Sequence, residues 1–244
     1  MKKVITITGK SGSGKSTLAK KLTDTGLFGE VISFTTRLPR DGEVNGVDYN
    51  FISMEEAEKI VKNNEALQHV IINGNHYGSH QKTFEDIYNR GQIPILVCDP
   101  KGPQDLEKNK DKMGWKVTKI FLDVEPETLS TRIVDRFSKE YTGEKPNIEK
   151  IDKEIEKRLN MMTSMNKEEV NFFIDKLKSN EFINDLKDIL TKEIKESKSI
   201  ESTWRNQIKF DYYFKAEDIE KNNDKYINKI KKISLKEQKN NYEP

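Results

Sequence analysis

Val4-Ile5-Thr6-Ile7-Thr8 is followed directly by Gly9-Lys10-Ser11-Gly12-Ser13-Gly14-Lys15-Ser16 near the start of this 244-residue chain. The β-branched run predicts a buried parallel strand, because such strands are apolar on both faces. The second run matches the pattern G-x-x-x-x-G-K-[ST], and residues 16–22 have the composition of a helix. A strand, a glycine-rich loop and a helix in this order indicate a phosphate-binding loop (P-loop) in an α/β fold.

The loop contains the groups that binding a nucleoside triphosphate requires. Its glycines allow successive backbone N–H groups to point at phosphate, and the helix N-terminus adds a favourable dipole. Lys15 is expected to reach the β- and γ-phosphates, and the Ser16 hydroxyl to bind Mg²⁺. GTPases, transport ATPases and small-molecule kinases share such a loop, so it does not identify a second substrate. The predicted ATP-binding residues are Gly9, Ser11, Gly12, Ser13, Gly14, Lys15, Ser16 and Thr17.

Strand and helix patterns alternate outward from the loop through about residue 136. The predicted strands are 4–8, 31–36, 69–72, 74–77, 93–98 and 117–122, and helical spacing appears at 55–63 and 82–89. This alternation predicts a parallel sheet flanked by helices. From about residue 139, apolar residues recur at helical spacing among Lys and Glu, which predicts two or three amphipathic helices through 197. A strand pattern returns at 209–214 and a helical pattern at 219–230.

Composition narrows the class of protein. The 43 Lys and Arg against 41 Asp and Glu leave a net charge of +2, which gives no general reason to expect nucleic-acid or membrane binding. The single cysteine, Cys98, excludes an internal disulfide and is typical of a reducing compartment. The first residues lack the apolar segment of a signal peptide. We therefore expect a cytoplasmic protein, monomeric or homodimeric, with neither nucleic-acid nor membrane partners.

A second segment with many polar and charged side chains follows the P-loop. It reads Ser33-Phe34-Thr35-Thr36-Arg37-Leu38-Pro39-Arg40-Asp41-Gly42-Glu43, and continues through Asp48-Tyr49. Two arginines three residues apart can grip one dianionic phosphate, because the planar guanidinium binds pairs of oxygens. Tyr49, and Tyr77 in the glycine-bracketed loop 74–79, can add hydroxyl donors. The segment is thus a candidate site for a second, phosphorylated substrate.

With the P-loop, the patterns S-x-T-T-R-x-P-R-x-G-E-x-x-G-x-D-Y and G-N-x-Y-G-S resemble the guanylate kinase family over about residues 1–136, and weakly over 209–230. The resemblance implies an ATP-dependent nucleoside monophosphate kinase that uses Mg²⁺ to phosphorylate GMP or dGMP. It implies that Arg37, Arg40, Tyr49 and Tyr77 hold the acceptor phosphate, that Glu43 supports the arginines, and that Ser33, Ser79 and Asp99 help to place the base.

Arg132 and Arg136 lie four residues apart and share a face if the segment is helical. Similar arginines in the lid of the family reach the transferred phosphoryl group, where they neutralise charge on its equatorial oxygens. Arg158 resembles a third arginine of this kind, offset by extra residues. With Lys15, these three are the predicted catalytic residues.

The sequence departs from the family pattern at three places. Gln68 stands where the family usually has a guanine-binding glutamate, and Val97 replaces an acidic residue two positions before Asp99. Residues 160–203 resemble an insertion. Two interpretations are open: the insertion consists of helices that enlarge the lid or extend the core, or it forms a dimerisation surface or a gate. A kinase of a different or modified nucleoside monophosphate therefore remains an alternative. A non-catalytic binding module is a second one, although the intact P-loop, Arg132 and Arg136 argue against it.

The expected organisation is a single guanylate-kinase-like domain over 1–244. Its P-loop core would comprise 1–33, 81–136 and 204–235. A small mixed β subdomain that binds the nucleoside monophosphate would comprise 34–80. An enlarged helical lid and insertion would comprise 137–203.

Overall fold

The structure is a computed structural model that describes residues 2–10, 12–39, 42–72, 74–142 and 208–235, together with residues 184, 187, 188, 191, 192 and 195. The chain divides into two compact units. The first unit consists of residues 1–123 and 201–244, and the second of residues 124–200. The finer subdivision expected from the sequence, into core, acceptor-binding subdomain and lid, stays a prediction.

The named elements follow in chain order. The strands are β1 (Lys2–Thr8), β2 (Phe28–Glu30), β3 (Phe34–Thr35), β4 (Asn50–Phe51), β5 (Ala66–Ile72), β6 (Asn75–His80), β7 (Ile93–Val97), β8 (Trp115–Asp123) and β9 (Tyr212–Lys215). The helices are α1 (Lys15–Thr23), α2 (Met54–Lys62), α3 (Gln81–Asn89), α4 (Lys101–Lys108), α5 (Lys110–Met113), α6 (Pro126–Thr142), α7 (Ala216–Lys221) and α8 (Asn223–Leu235). Among the described helices, none is long and apolar enough to cross a membrane.

A five-stranded sheet with the order β2-β7-β1-β8-β9 forms the centre of the first unit, and all of its neighbouring strands are parallel. β1 is its middle strand, and Val4, Ile5 and Ile7 are buried on both of its faces. Each such side chain contributes about 1.5–3 kcal/mol when fully buried. Helices flank this sheet, and a separate mixed sheet accompanies it, so the predicted α/β fold class is confirmed.

The mixed sheet has the order β4-β3-β6-β5, with β3 parallel to β4 and antiparallel to β6. Its register shifts within β5, where Ala66 pairs with His80 and Gln68 pairs with Ser79. Leu67 is the extra residue of this β-bulge, and it packs into the apolar cluster of the parallel sheet. The bulge thereby anchors the mixed sheet on the core and aligns Gln68 with Ser79.

The prediction of one strand over 31–36 is wrong. The chain instead leaves the parallel sheet after β2, with a last hydrogen bond from the Val31 N–H to the Ile95 carbonyl, and enters the mixed sheet at β3. Val31 and Phe34 are both buried, but they belong to two different apolar clusters. The sequence pattern alone does not indicate that neighbouring apolar residues of one segment pack into two different apolar cores.

Two helical details go beyond the sequence prediction. Residues 101–113, for which no element was predicted, form α4 and α5, and Pro103 is accommodated because proline is tolerated in a first helical turn. The helix predicted over 219–230 is divided into α7 and α8 at Asn222, whose backbone leaves the helical region. Neither difference moves the segments that carry the predicted site.

Candidate active site

The predicted P-loop joins the C-terminal end of β1 to the N-terminus of α1. Gly12 and Gly14 have φ values of 85° and 90°, in the left-handed region that other residues avoid. A Cβ atom on Gly9 would lie 2.4 Å from the Leu122 carbonyl oxygen, so the loop passes against β8 too closely for a side chain. The positive φ values at two positions and the close approach of the Leu122 carbonyl at the third explain why glycine occupies these positions of the motif.

Lys15 is held over the loop. Its Nζ donates hydrogen bonds to the carbonyl oxygens of Gly9, at 2.9 Å, and Lys10, at 2.7 Å. The first turn of α1 contains no acidic residue, and its N-cap, Gly14, supplies no side-chain hydrogen bond. The N-terminal N–H groups and the ammonium therefore create a positive site at one end of the sheet, as an anion requires.

The end of β7 borders the P-loop. The Cys98 Sγ lies 3.9 Å from the Thr8 Oγ1, and burial raises the pKa of the Cys98 thiol, which therefore stays neutral. Asp99 follows, and its Oδ1 accepts hydrogen bonds from the N–H groups of Lys101, at 2.8 Å, and Gly102, at 3.1 Å. Asp99 thus stabilises the start of α4, in addition to any contact with the base that the family resemblance implies.

Arg37 is the centre of the first polar cluster on the mixed sheet. Its Nη1 and Nη2 donate to the two carboxylate oxygens of Glu43, each at 2.9 Å, in a bidentate ion pair. This pair, with a smaller contribution from a hydrogen bond to Tyr77, raises the pKa of Arg37. The guanidinium also lies over the rings of Tyr49, at 5.4 Å, and Phe51, at 5.7 Å from their centroids.

Arg37 is therefore fixed in orientation by a carboxylate on one side and aromatic rings on another. The rings of Tyr49 and Tyr77 meet edge to face at 6.0 Å, which closes the cluster. Restricting the arginine in this way lowers the entropy lost when it binds an oxyanion. The structure brings together Arg37, Glu43, Tyr49 and Tyr77, four of the residues predicted for the acceptor phosphate and its support.

Gln68, Ser79 and Ser33 form the second polar cluster. The Ser79 hydroxyl donates to the Gln68 Oε1 at 3.4 Å, and the Ser33 and Ser79 hydroxyls are 3.3 Å apart. Ser79 is fully buried and Gln68 is 6% exposed. A Cβ atom on Gly102 would lie 3.7 Å from the Gln68 Cγ, so the glutamine side chain lies beside the start of α4. Three residues predicted to surround the base are thus adjacent.

The two clusters share one face of the mixed sheet. Tyr77 and Ser79 are two residues apart on β6, and alternate residues of a strand point to the same side. The face therefore presents a cationic and hydroxyl-rich end near Arg37 and a neutral polar end near Gln68. Such a division suits a ligand with a phosphate at one end and a flat hydrogen-bonding group at the other.

Comparison with known proteins agrees with this geometry. The family model described as guanylate kinase matches residues 1–193. The chain belongs to the guanylate kinase family. It is 36% identical over 136 residues to the guanylate kinase of Clostridium tetani, a match that covers 54% of this chain and 62% of that protein. It is 32% identical over 127 residues to human guanylate kinase, which covers 51% of this chain and 61% of the human protein.

The crystal structure of guanylate kinase from Anaplasma phagocytophilum has the same fold, with a TM-score of 0.52 and 22% sequence identity over 96% of this chain and 87% of that one. The chain spans less than two thirds of the length of the curated relatives named above. The family resemblance predicted from the P-loop and the acceptor segment is confirmed.

Several residues predicted for a guanylate kinase site lie outside the part of the chain that the structure describes. These are Ser11, Arg40 and Arg158, and the side chain of Arg136. Arg132 is described and lies on α6, in the second unit. The predicted catalytic set is therefore represented by Lys15 in the first unit and by Arg132 in the second, and the roles of all four residues stay predictions.

Two residues that contact the predicted site were not identified from the sequence. Phe51 lies against Arg37, and the alternation of Tyr49 and Phe51 around a short strand is a signal that was available. Gly102 leaves room for the Cys98 side chain, because a Cβ atom there would lie 2.5 Å from the Cys98 Sγ, and it also lies beside the Gln68 side chain. Residues 68 and 102 are far apart in sequence, so only the fold brings them together.

The family implies a magnesium ion, and the chemistry of the loop fits one that arrives with ATP. Ser16, in the first turn of α1, is exposed and offers a hard oxygen donor. Within the described residues, no cluster of three or more His, Cys, Asp and Glu is arranged to hold a metal by itself. Mg²⁺ commonly takes few protein ligands and completes its shell with phosphate oxygens and water, so a single hydroxyl beside a phosphate site is sufficient.

Proposed function

We propose that the protein transfers the γ-phosphate of ATP to GMP or dGMP, giving ADP and GDP or dGDP. The observation that carries this proposal is the coexistence, in one compact unit, of the P-loop and the Arg37 cluster. The first is suited to a triphosphate and the second to a monophosphate. A single phosphate site would suit a hydrolase or a binding protein equally well, whereas two favour transfer between two nucleotides.

On the donor side, the backbone N–H groups of the loop and the α1 N-terminus would bind the phosphates of ATP. Lys15 would exchange the carbonyl oxygens of Gly9 and Lys10 for phosphate oxygens, which carry full charge and form stronger hydrogen bonds. The Ser13 hydroxyl is buried and has no hydrogen-bond partner among the described residues, so a ligand oxygen nearby would remove a cost of about 1–3 kcal/mol. Ser16 would bind Mg²⁺, which supplies charge neutralisation when bound with ATP.

On the acceptor side, Arg37 would bind the monophosphate while Glu43 keeps the guanidinium in its plane. Tyr49 and Tyr77 would donate from their hydroxyl groups, and Arg40 would supply the second cation. Ser33, Gln68, Ser79 and Asp99 would contact the base. The bidentate geometry of Arg37 and Glu43 supports this assignment, because it fixes the arginine before the substrate arrives.

In the chemical step, an oxygen of the acceptor phosphate forms a bond to the γ-phosphorus while the bond from the γ-phosphorus to the β–γ bridging oxygen breaks, and ADP leaves. The acceptor oxygen is already anionic at neutral pH, so no general base is needed. Lys15, Arg132, Arg136 and Arg158 would neutralise the charge that spreads over the equatorial oxygens. Positioning and electrostatics account for the rate, without a covalent intermediate.

A coupled ADP-release assay with Mg–ATP and a panel of nucleoside monophosphates tests the proposal. We expect turnover with GMP and dGMP that exceeds the ATP hydrolysis seen without an acceptor. Lys15→Ala should lower kcat at least about a hundredfold, because it removes a charge aimed at the transition state. Lys20→Ala is the matched control, since Lys20 is an exposed lysine on the same helix. Equal activity of Lys15→Ala and Lys20→Ala would contradict the assignment of the donor site.

A further inference from the structure

The buried carboxamide of Gln68 has different surroundings at its two ends. Its Oε1 accepts a hydrogen bond from the Ser79 hydroxyl at 3.4 Å, and the Ser79 hydroxyl lies 3.3 Å from that of Ser33. Within the part of the chain that the structure describes, the Gln68 Nε2 donates no hydrogen bond. The protein therefore engages the oxygen of the carboxamide and leaves the two N–H donors to a ligand.

The packing around Gln68 favours this orientation of the carboxamide. Gln68 is 6% exposed and Ser79 is fully buried, so a ligand would meet the carboxamide with little water beside it. To present Oε1 to a ligand, the amide would have to rotate by half a turn, and the Ser79 hydroxyl would have to turn to Ser33. A ligand that accepts a hydrogen bond from Nε2 requires neither change, so the site is preorganised for an acceptor.

Gln68 lies at a suitable distance from the Arg37 cluster to meet the base of a nucleotide. Tyr77 and Ser79 are two residues apart on β6, about 7 Å along the strand, and Gln68 pairs with Ser79 on the neighbouring strand, about 5 Å across. The backbone at Gln68 is thus roughly 8 Å from that at Tyr77. This is the order of separation between the 5′-phosphate and the base of a nucleotide, so a phosphate bound at Arg37 would bring one edge of the base to the Gln68 Nε2.

The common 6-oxopurines present different groups to a donor in this place. Guanine, hypoxanthine and xanthine all have an N1–H and a carbonyl at C6, but C2 carries an amine in guanine, a hydrogen in hypoxanthine and a carbonyl in xanthine. The Nε2 donor would oppose the guanine amine, face the C2–H of hypoxanthine without a partner, and donate to the C2 carbonyl of xanthine. In a buried site, a polar group that is opposed or left unpaired weakens binding more than a paired one strengthens it.

We propose that Gln68 makes xanthosine monophosphate (XMP) a second acceptor, phosphorylated at least as efficiently as GMP, because Nε2 donates to its C2 carbonyl. This inference rests on the proposed function, since it places a base beside Gln68. An oxygen of the XMP phosphate forms a bond to the γ-phosphorus of ATP while the bond to the β–γ bridging oxygen breaks, which gives ADP and xanthosine diphosphate. GMP remains a substrate through rotation of the carboxamide, which then accepts N1–H and gives up the hydrogen bond from Ser79.

The test measures kcat/KM of the full-length wild type for XMP, inosine monophosphate (IMP) and GMP by coupled ADP release at fixed Mg–ATP. XMP should exceed GMP about tenfold, with IMP between them. Gln68→Glu should lower the ratio of XMP to GMP about a hundredfold, because a carboxylate accepts from N1–H and the amine of guanine and repels the C2 carbonyl of xanthine. Gln104→Glu adds the same charge on α4 and is the control, with the wild-type ratio.

Ser79→Ala separates the orientation of the carboxamide from its mere presence. Without the Ser79 hydroxyl the amide is free to rotate, so the ratio of XMP to GMP should fall towards one. An equal loss of kcat/KM for both substrates would mean that Ser79 only supports the sheet, and it would overturn the inference.

The remaining outcomes distinguish this inference from the proposed function. A wild type that phosphorylates GMP more efficiently than XMP and IMP overturns the inference and leaves the proposed function standing, and so does a ratio that Gln68→Glu does not change. A wild type that phosphorylates no monophosphate refutes both. If Gln68→Glu does not fold, the wild-type series still decides, because GMP, IMP and XMP differ at C2 without any change to the protein.

Discussion

Replacing Gln68 with glutamate tests how the site recognises a base. Guanine presents two adjacent donors, N1–H and the exocyclic amine. The Gln68 carboxamide offers one acceptor, which already accepts from Ser79 at 3.4 Å, and a donor that cannot pair with either group of guanine. A carboxylate in the same place has two acceptor oxygens and a charge that strengthens both bonds.

The expected gain follows from the burial of the site. At 6% exposure, Gln68 has little water to compensate a mismatched donor, and an unpaired buried polar group costs about 1–3 kcal/mol. Gln68→Glu should therefore raise kcat/KM for GMP relative to AMP by about tenfold to a hundredfold. The unliganded variant should be less stable than the wild type, because a carboxylate so poorly hydrated carries a desolvation cost.

The assay is a competition between GMP and each other monophosphate, with ATP fixed, for the wild type, Gln68→Glu and Gln104→Glu. The last variant adds the same charge on α4, away from the Gln68 cluster, and should leave the ratio unchanged. If the ratio of GMP to AMP turnover is equal in all three proteins, Gln68 does not face the base. The reasoning on specificity would then be wrong, while the kinase assignment would stand.

Three further changes test other parts of the structure. Arg37→Ala should raise the KM for the acceptor at least about tenfold and leave that for ATP near its wild-type value, since a charged hydrogen-bonding pair is worth about 1.5–3 kcal/mol; equal effects on both substrates would place Arg37 in the donor site. Gly9→Ala should lower the melting temperature and ATP affinity together, because its Cβ would lie 2.4 Å from the Leu122 carbonyl oxygen, and a variant with wild-type calorimetric titration would refute that contact. Burial, and then the nearby His76 and Lys101, lower the pKa of His69, so the folded protein binds this proton less readily than the unfolded chain and loses stability as pH falls below about 6.5. His69→Gln should flatten that loss in unfolding measurements between pH 7 and 5, and an unchanged pH slope would contradict it.

The parts of the fold that could be predicted are those with local signals. The order of strand, glycine-rich loop and helix at the start of the chain was predictable because it depends on constraints within a few residues, such as the left-handed φ at Gly12 and Gly14. The fold class followed from the alternation of apolar strands and amphipathic helices. The segment proposed to bind the acceptor was singled out by the spacing of its residues, and the structure pairs its Arg37 with Glu43.

The parts that could not be predicted depend on contacts between distant residues. The division of 31–36 between two sheets depends on which core receives Val31 and which receives Phe34. The bulge at Leu67, which aligns Gln68 with Ser79, also depends on packing between the two sheets, because Leu67 packs into the apolar cluster of the parallel sheet. The hydrogen bond between the Ser130 and Thr191 hydroxyls joins residues 61 positions apart, and no pattern within the sequence near either residue indicates such a pairing.

The most direct test of the central claim follows both nucleotides at once. Purified protein, Mg–ATP and GMP are mixed, and ³¹P NMR or anion-exchange chromatography quantifies ATP, ADP, GMP and GDP over time. GDP and ADP should accumulate in equal amounts, both should require GMP, and Lys15→Ala should abolish the formation of both. Formation of ADP without GDP, at a rate that does not depend on GMP, would show that the protein hydrolyses ATP and would contradict the assignment of the Arg37 cluster as an acceptor site.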